Sequence, residues 1–178
     1  MAGRQSRRAW GWHQLDPHWA ERLVAASGVG RGDLVLDVGA GRGAITRPLV
    51  AAGATVVAVE RHPQRAAELR AAFGRRVTVV MADAGALRLP RRPYHVVANP
   101  PFAATSALLR RLLQPGSRLE SAHLVLDERA VGRWAGSTAP GALRWQRDFR
   151  VVVGDRLPRS AFDPPPDARC RVLTLHRR

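Results

Sequence analysis

An apolar run, Leu34 to Val38, empties into three glycines spaced one residue apart, Gly39, Gly41 and Gly43, before apolar residues resume at helical spacing through Leu49. A buried strand leading through such a turn into a helix is the repeating unit of a parallel α/β sheet. The glycines let the backbone turn tightly and come close to a ligand at the strand's carboxyl end. The unit recurs along the chain. Further strands are expected at Thr55 to Glu60, Val77 to Met81, Tyr94 to Ala98 and Ser121 to Asp127. Helices are expected from Asp16-Pro17 to Ser27-Gly28, from the glycine turn to Ala52-Gly53, over Pro63 to Phe73, and over Ser106 to Leu113. Strands apolar on both faces and alternating with helices predict a doubly wound, Rossmann-like sheet.

The last third reads differently. Asp148 to Val153 and Arg171 to Leu175 are β-rich and flank a proline-rich stretch from Leu157 to Pro166. They predict an antiparallel hairpin closing a mostly parallel, seven-stranded sheet. Residues 1–10 read as a flexible basic arm, and 11–178 as a single domain.

Of 178 residues, 46% are hydrophobic, enough for a packed core. No apolar run approaches the roughly 20 residues that span a bilayer, and no secretory signal opens the chain. A monomeric cytoplasmic protein without membrane contact is expected. The lone Cys170 excludes an internal disulfide and a cysteine-built metal site, and the six histidines have no ligand spacing. No metal is expected. Lys+Arg total 29 against 14 Asp+Glu, a formal net charge of +15, and every one of these cations is arginine. Arginine's planar fork suits phosphate and stacks on bases, an arginine-biased genome is the competing explanation for its use over lysine, and the size of the imbalance points to a polyanionic partner.

The glycine turn follows the spacing G-x-G-x-G, not the G-x-G-x-x-G of dinucleotide sites, and Asp37 stands before it. A carboxylate there suits the zwitterionic end of a methionine and repels a pyrophosphate, so S-adenosylmethionine is expected rather than NAD. Glu60 ends the next strand at the position that binds ribose hydroxyls in such folds. Asp83 follows the third strand, where a carboxylate can accept from an adenine amine; a helix N-cap or turn role is the structural alternative.

Asn99-Pro100-Pro101-Phe102 closes the fourth strand. An adenine N6 is a poor nucleophile because its lone pair is delocalised into the ring. Holding both of its hydrogens on acceptors lets the nitrogen pyramidalise. Asn99 offers a side-chain carbonyl and Pro100 a backbone carbonyl, stiffened because consecutive prolines fix φ near −65°. Phe102 offers a face on which a base stacks. The motif predicts methyl transfer to an adenine N6.

Taken in this order and spacing, Asp37 to Gly43, Glu60, Asp83 and Asn99 to Phe102 resemble the Erm family of 23S ribosomal RNA adenine-N6 methyltransferases, in its short, arginine-rich actinobacterial form. The resemblance runs from about Gly11 to the C-terminus. It implies a class I S-adenosylmethionine-dependent methyltransferase fold. It implies a cofactor site of His13, Gln14, Asp37, Gly39, Gly41, Glu60, Arg61, Asp83, Ala84 and Asn99, with Asn99, Pro100, Pro101 and Phe102 at the reaction centre. His13-Gln14-Leu15 stands where the family has a Gln-Asn-Phe segment over the cofactor. The Pro-Pro-Phe form departs from the family's usual Asn-(Ile/Leu)-Pro-Tyr. Leu157 to Phe162, followed by prolines, is similar to a late family segment and implies that Phe162 lies against the target base opposite Phe102. Family members usually continue into a helical RNA-gripping domain, whereas this chain stops at Arg178, so either the basic arm and surface arginines are expected to take over that task or recognition is expected to be looser.

The implied substrate is 23S ribosomal RNA, naked or in an assembly intermediate, and the implied outcome is macrolide-lincosamide-streptogramin-type resistance. The small-subunit ribosomal RNA dimethyltransferases are the near alternative. A basic RNA-binding or assembly factor that keeps the fold without activity is a third reading; it has no need for Asn99, Phe102, Glu60 and Asp83. The motif alone also fits a DNA adenine methyltransferase.

Overall fold

The computed structural model describes residues 13–178. The expected basic arm, residues 1–10, lies outside the described residues. The elements run β1 (Gln14–Leu15), α1 (Pro17–Ser27), β2 (Leu34–Val38), α2 (Thr46–Ala51), β3 (Thr55–Val59), α3 (Pro63–Phe73) and β4 (Val77–Val80). They continue with β5 (Tyr94–Ala98), α4 (Thr105–Leu112), β6 (Leu119–Asp127), α5 (Glu128–Ala135), α6 (Ala142–Trp145), β7 (Phe149–Leu157), β8 (Phe162–Asp163) and β9 (Cys170–Arg177).

Seven strands form the main sheet in the order β4-β3-β2-β5-β6-β9-β7. β2 to β6 are parallel, and β9 and β7 add the antiparallel hairpin. All five residues of β2 are buried, as a strand covered on both faces must be. Leu36, Val96, Leu124 and Leu173 pack against α4, α5 and α6, whose Leu108, Leu109, Trp134 and Trp145 fill one core. Val35, Val97 and Val125 point the other way, onto Leu23 and Val24 of α1, Leu49 of α2, and Leu69 and Phe73 of α3. No helix among the described residues is long and apolar enough to cross a membrane.

Local chemistry sets the element ends. Asp16 caps α1 by accepting from the His18 N–H at 2.9 Å, and Pro17 occupies the first turn, where no N–H is needed. Asp127 caps α5 in the same way, through the Ala130 N–H.

β1 and β8 make a separate antiparallel pair, Gln14 opposite Asp163 and Leu15 opposite Phe162. The Asp16 N–H extends it by donating to the Ala161 carbonyl at 2.8 Å. This ribbon ties the start of the described chain to the proline-rich segment. It runs past the point between β2 and β5 where the sheet's connections reverse direction, the place where open α/β sheets bind ligands.

Candidate active site

Gly39 is the contact point of the two sequence motifs. Its φ is +79°, and a Cβ built there meets Pro101 Cδ at 2.8 Å and Pro100 Cα at 3.4 Å. Only glycine permits both this backbone and this approach. The glycine turn therefore lies directly against the Asn99–Phe102 turn, at the ends of neighbouring strands. The Gly39 and Ala40 N–H groups both donate to the Val59 carbonyl, folding the turn back over β3.

Glu60 holds that turn from the other side. Its Oε2 accepts from the Gly41 N–H and its Oε1 from the His62 N–H, each at 2.8 Å. The side chain is buried, and each oxygen keeps a lone pair for a further donor. Asp83 is more open. Its Oδ1 accepts from the Gly85 N–H at 2.9 Å, and Oδ2 receives Arg61 Nη1 at 3.3 Å. Arg61 thus links the ends of β3 and β4. Ala84 is buried in the core completed by α4, α5 and α6.

Asp37 is 1% exposed, and its Oδ2 accepts from the Thr46 hydroxyl at 2.6 Å. Burial pushes its carboxyl up to about 7; the Thr46 bond opposes this, and the Glu60 carboxylate adds to it. Thr46 carries no motif signal in the sequence, and only the structure brings it to Asp37. A narrow cleft of about 20 Å³ runs past Asp37, Gly39 and Asn99, and His13, Gln14 and Arg42 line it as well. That volume is about one water's worth of room.

The resemblance implies a cofactor role for His13, and the structure ties it to the Asn99–Phe102 turn as well. Its backbone carbonyl accepts from Asn99 Nδ2 at 2.7 Å. Its ring stacks on Phe102, with centroids 5.6 Å apart and planes 28° from parallel. Its Nδ1–H donates to the Pro164 carbonyl at 2.7 Å; a carbonyl only accepts, so Nδ1 carries the proton. One residue thus joins the β1–β8 ribbon to the Asn99–Phe102 turn.

The structure differs from the expectation that Phe162 lies opposite Phe102. Phe162 is 4% exposed and sits with Leu15 and Ala161 in the core on the side of α1, α2 and α3. Its register opposite Leu15 in the β1–β8 pair turns the ring inward. The ring facing Phe102 is that of His13. Pro100 is buried beneath the turn, and the Pro101 carbonyl accepts from the Ala104 N–H at 2.8 Å, starting the short 3-10 segment at 102–104.

The arrangement offers carboxylates at the ends of three adjacent strands and a fixed amide beside an aromatic face. Among the described residues no cluster of His, Cys, Asp or Glu can hold a metal.

The family model described as ribosomal RNA adenine dimethylase matches residues 5–178. The mycinamicin-resistance protein MyrB of Micromonospora griseorubida is 39% identical over 148 residues, 81% of this chain and 47% of that protein. The ribosomal RNA small subunit methyltransferase A of Sphingopyxis alaskensis is 34% identical over 179 residues, 90% of this chain and 65% of that protein. This chain thus spans about half to two thirds of the length of these two relatives. Among solved structures, the 23S rRNA methyltransferase ErmE superposes with a TM-score of 0.82 at 24% identity, covering 92% of this chain and 68% of that one. The likeness bears out the doubly wound methyltransferase fold with its antiparallel hairpin.

Proposed function

Because the chain belongs to the ribosomal RNA adenine dimethylase family, we propose that it transfers methyl groups from S-adenosylmethionine to N6 of an adenine in ribosomal RNA. The observation that carries this reading is the packing of Pro100 and Pro101 on Gly39, which sets an amide–aromatic turn against a cofactor-type glycine turn.

The residues present fit the cofactor by the chemistry of their donors and acceptors. Glu60 suits ribose hydroxyls, and Asp83 suits an adenine amine. Asp37, Gly39, Gly41 and the segment His13-Gln14 suit the methionine end. When bound, S-adenosylmethionine would supply an electrophilic methyl group on a sulfonium.

The chain's own residues then prepare the nucleophile. The bond from Asn99 Nδ2 to the His13 carbonyl fixes the amide so that Oδ1 remains an acceptor for one N6 hydrogen. The Pro100 carbonyl takes the other. Phe102 holds the base plane once the base has left its helix, since a stacked base cannot present N6 at a sheet edge. Such positioning, without a covalent intermediate, supplies most of the rate. The surplus proton leaves to water once methylation has made the amine acidic.

We further propose 23S ribosomal RNA as the substrate and macrolide-type resistance as the outcome. The 39% relative, named for resistance to mycinamicin, supports this reading. The second reading, a small-subunit adenine, is supported by the 34% relative. Primer extension across both ribosomal RNAs, from cells with and without the gene, separates them. A gene-dependent stop in 23S RNA with raised macrolide tolerance is expected; a stop confined to small-subunit RNA would transfer the assignment to the second reading.

A further inference from the structure

A groove of about 390 Å³ lies on the sheet face beside α1, away from the reaction centre. That is within the size range of small-ligand sites. Trp19, Arg22, Leu23 and Ala26 line one side; their spacing places them on one face of α1. Its floor is β6, β9 and β7, where His123, Thr174 and Val152 stand opposite one another in register. His176 and Arg150 form a second pair two residues along.

Three features of the groove point to a ligand. His123 is 5% exposed, yet its Nδ1 is buried with no hydrogen-bond partner. An orphaned polar atom of this kind carries a free-energy cost that a bound donor or acceptor removes. Burial lowers His123 to about 4, with His176 and His95 adding to the effect, so the ring is neutral at physiological pH and calls for an uncharged partner. At the mouth the chemistry reverses. Arg22 lies over the Trp19 ring at 4.8 Å, which leaves its in-plane N–H groups available, and the exposed Arg150 stands on the opposite wall. Val152 is 38% exposed, an apolar floor next to these cations.

We propose that this groove binds an unpaired nucleotide of the RNA substrate: the base lies on the Trp19 and Val152 side with a hydrogen bond to His123, and the phosphate lies between Arg22 and Arg150. A neutral polar floor with a mouth of net positive charge, Arg22 and Arg150 against the single carboxylate of Asp155, matches a base joined to a phosphate. Aromatic stacking and arginine–phosphate contacts are the usual means of holding unpaired RNA. α1 also connects the two places, since it follows directly from the His13–Leu15 ribbon at the reaction centre. RNA in the groove would therefore be gripped one helix away from the target base. The inference rests on the RNA substrate proposed above, but its test reads binding and not methylation.

The histidine ring protons can be followed by NMR while the protein is titrated with AMP and, separately, with a single-stranded octaribonucleotide. The His123 and His176 signals are expected to shift with the oligonucleotide, with or without a shift from AMP. Val152→Trp, which fills the mouth from an exposed strand position, should abolish that shift and weaken oligonucleotide binding about tenfold. Arg150→Ala should weaken it about fivefold with the groove still open. Both should bind S-adenosylmethionine as the wild type does. Signals unmoved by either probe, or oligonucleotide affinity unchanged in both variants, would overturn the proposal. A shift from AMP alone would assign the groove to a free nucleotide and overturn the RNA reading. Failure of methylation with these binding results intact would instead count against the proposed function.

Discussion

Asn99 Nδ2 donates to the backbone carbonyl of His13 at 2.7 Å, across 86 residues of sequence. The bond decides which end of the amide faces the reaction, because a carbonyl accepts only from the NH₂ end. Asn99→Asp replaces that donor with an oxygen facing the His13 carbonyl. We expect methylation to fall about 10²–10³-fold, the scale of losing one oriented electrostatic contact. Stability should drop by about 1–3 kcal/mol from the unsatisfied carbonyl. Asn99→Ala should also lose turnover while still folding and binding cofactor. Single-turnover methyl transfer alongside thermal melts checks this; near-wild-type rates in either variant would remove Asn99 from the centre.

Asp37 gives the site a pH dependence. Its carboxyl is raised to about 7 from 3.8, so the folded chain holds the proton more tightly than the unfolded chain. That contribution to stability is complete below about pH 4 and is lost as pH rises through about 7. A bound sulfonium and ammonium favour the ionised form, so cofactor affinity should rise with pH, by at most about tenfold per unit, and level off above about 7. Asp37→Asn keeps an acceptor for Thr46 but cannot ionise. Its affinity should be lower and flat with pH, and its melting temperature should exceed the wild type's above pH 7. Calorimetry from pH 5.5 to 8.5 provides the comparison, and parallel affinity curves would show that Asp37 does not meet the cofactor.

Glu60 and Asp83 should separate by burial. Glu60 is 6% exposed and holds two backbone N–H groups, so Glu60→Ala leaves both unsatisfied. It should lose about 2–4 kcal/mol of stability as well as about ten- to a hundredfold in cofactor affinity. The Asp83 side chain is 51% exposed, and its ion pair with Arg61 adds little to folding. Asp83→Ala should weaken cofactor binding about tenfold and leave the melt nearly unchanged. Equal melting losses in the two variants would contradict this division.

The parts of this fold legible in the sequence were those fixed by local chemistry. Leu34–Val38 and Tyr94–Ala98 are apolar runs bounded by turn residues, and both form strands over those residues. Asp16-Pro17 marks a helix start because cap and proline act within one turn. The β1–β8 ribbon was not legible, because its two-residue strands pair across about 150 residues and show no period. The same ribbon turns Phe162 inward, which a motif match cannot convey. α6 is four residues long, about one turn, too short to show a helical period. Within the site, the carboxylates could be read from their places at strand ends. The roles of His13 and Thr46 depend on partners that only the folded chain supplies.

The stack of His13 on Phe102 sets a contest for the target base. The ring occupies a face of Phe102, 5.6 Å between centroids, on which an adenine would lie. Aromatic pairs of this kind are worth about 0.5–1.5 kcal/mol. A base that takes the same face must offset that amount, about two- to tenfold in affinity. The link from His13 to Asn99 uses the backbone, so His13→Ala removes the ring without removing the bond that orients the amide. We therefore expect His13→Ala to lower the KM for RNA about threefold and to change kcat less than that. Phe102→Leu should act in the opposite sense: kcat falls strongly, because the base plane is no longer held, while RNA affinity, resting mainly on phosphate contacts, changes little. Steady-state methylation paired with filter-binding affinities measures both. A raised KM in His13→Ala would mean that the imidazole contacts the bound base directly, and equal losses of kcat and RNA affinity in Phe102→Leu would make Phe102 a packing residue.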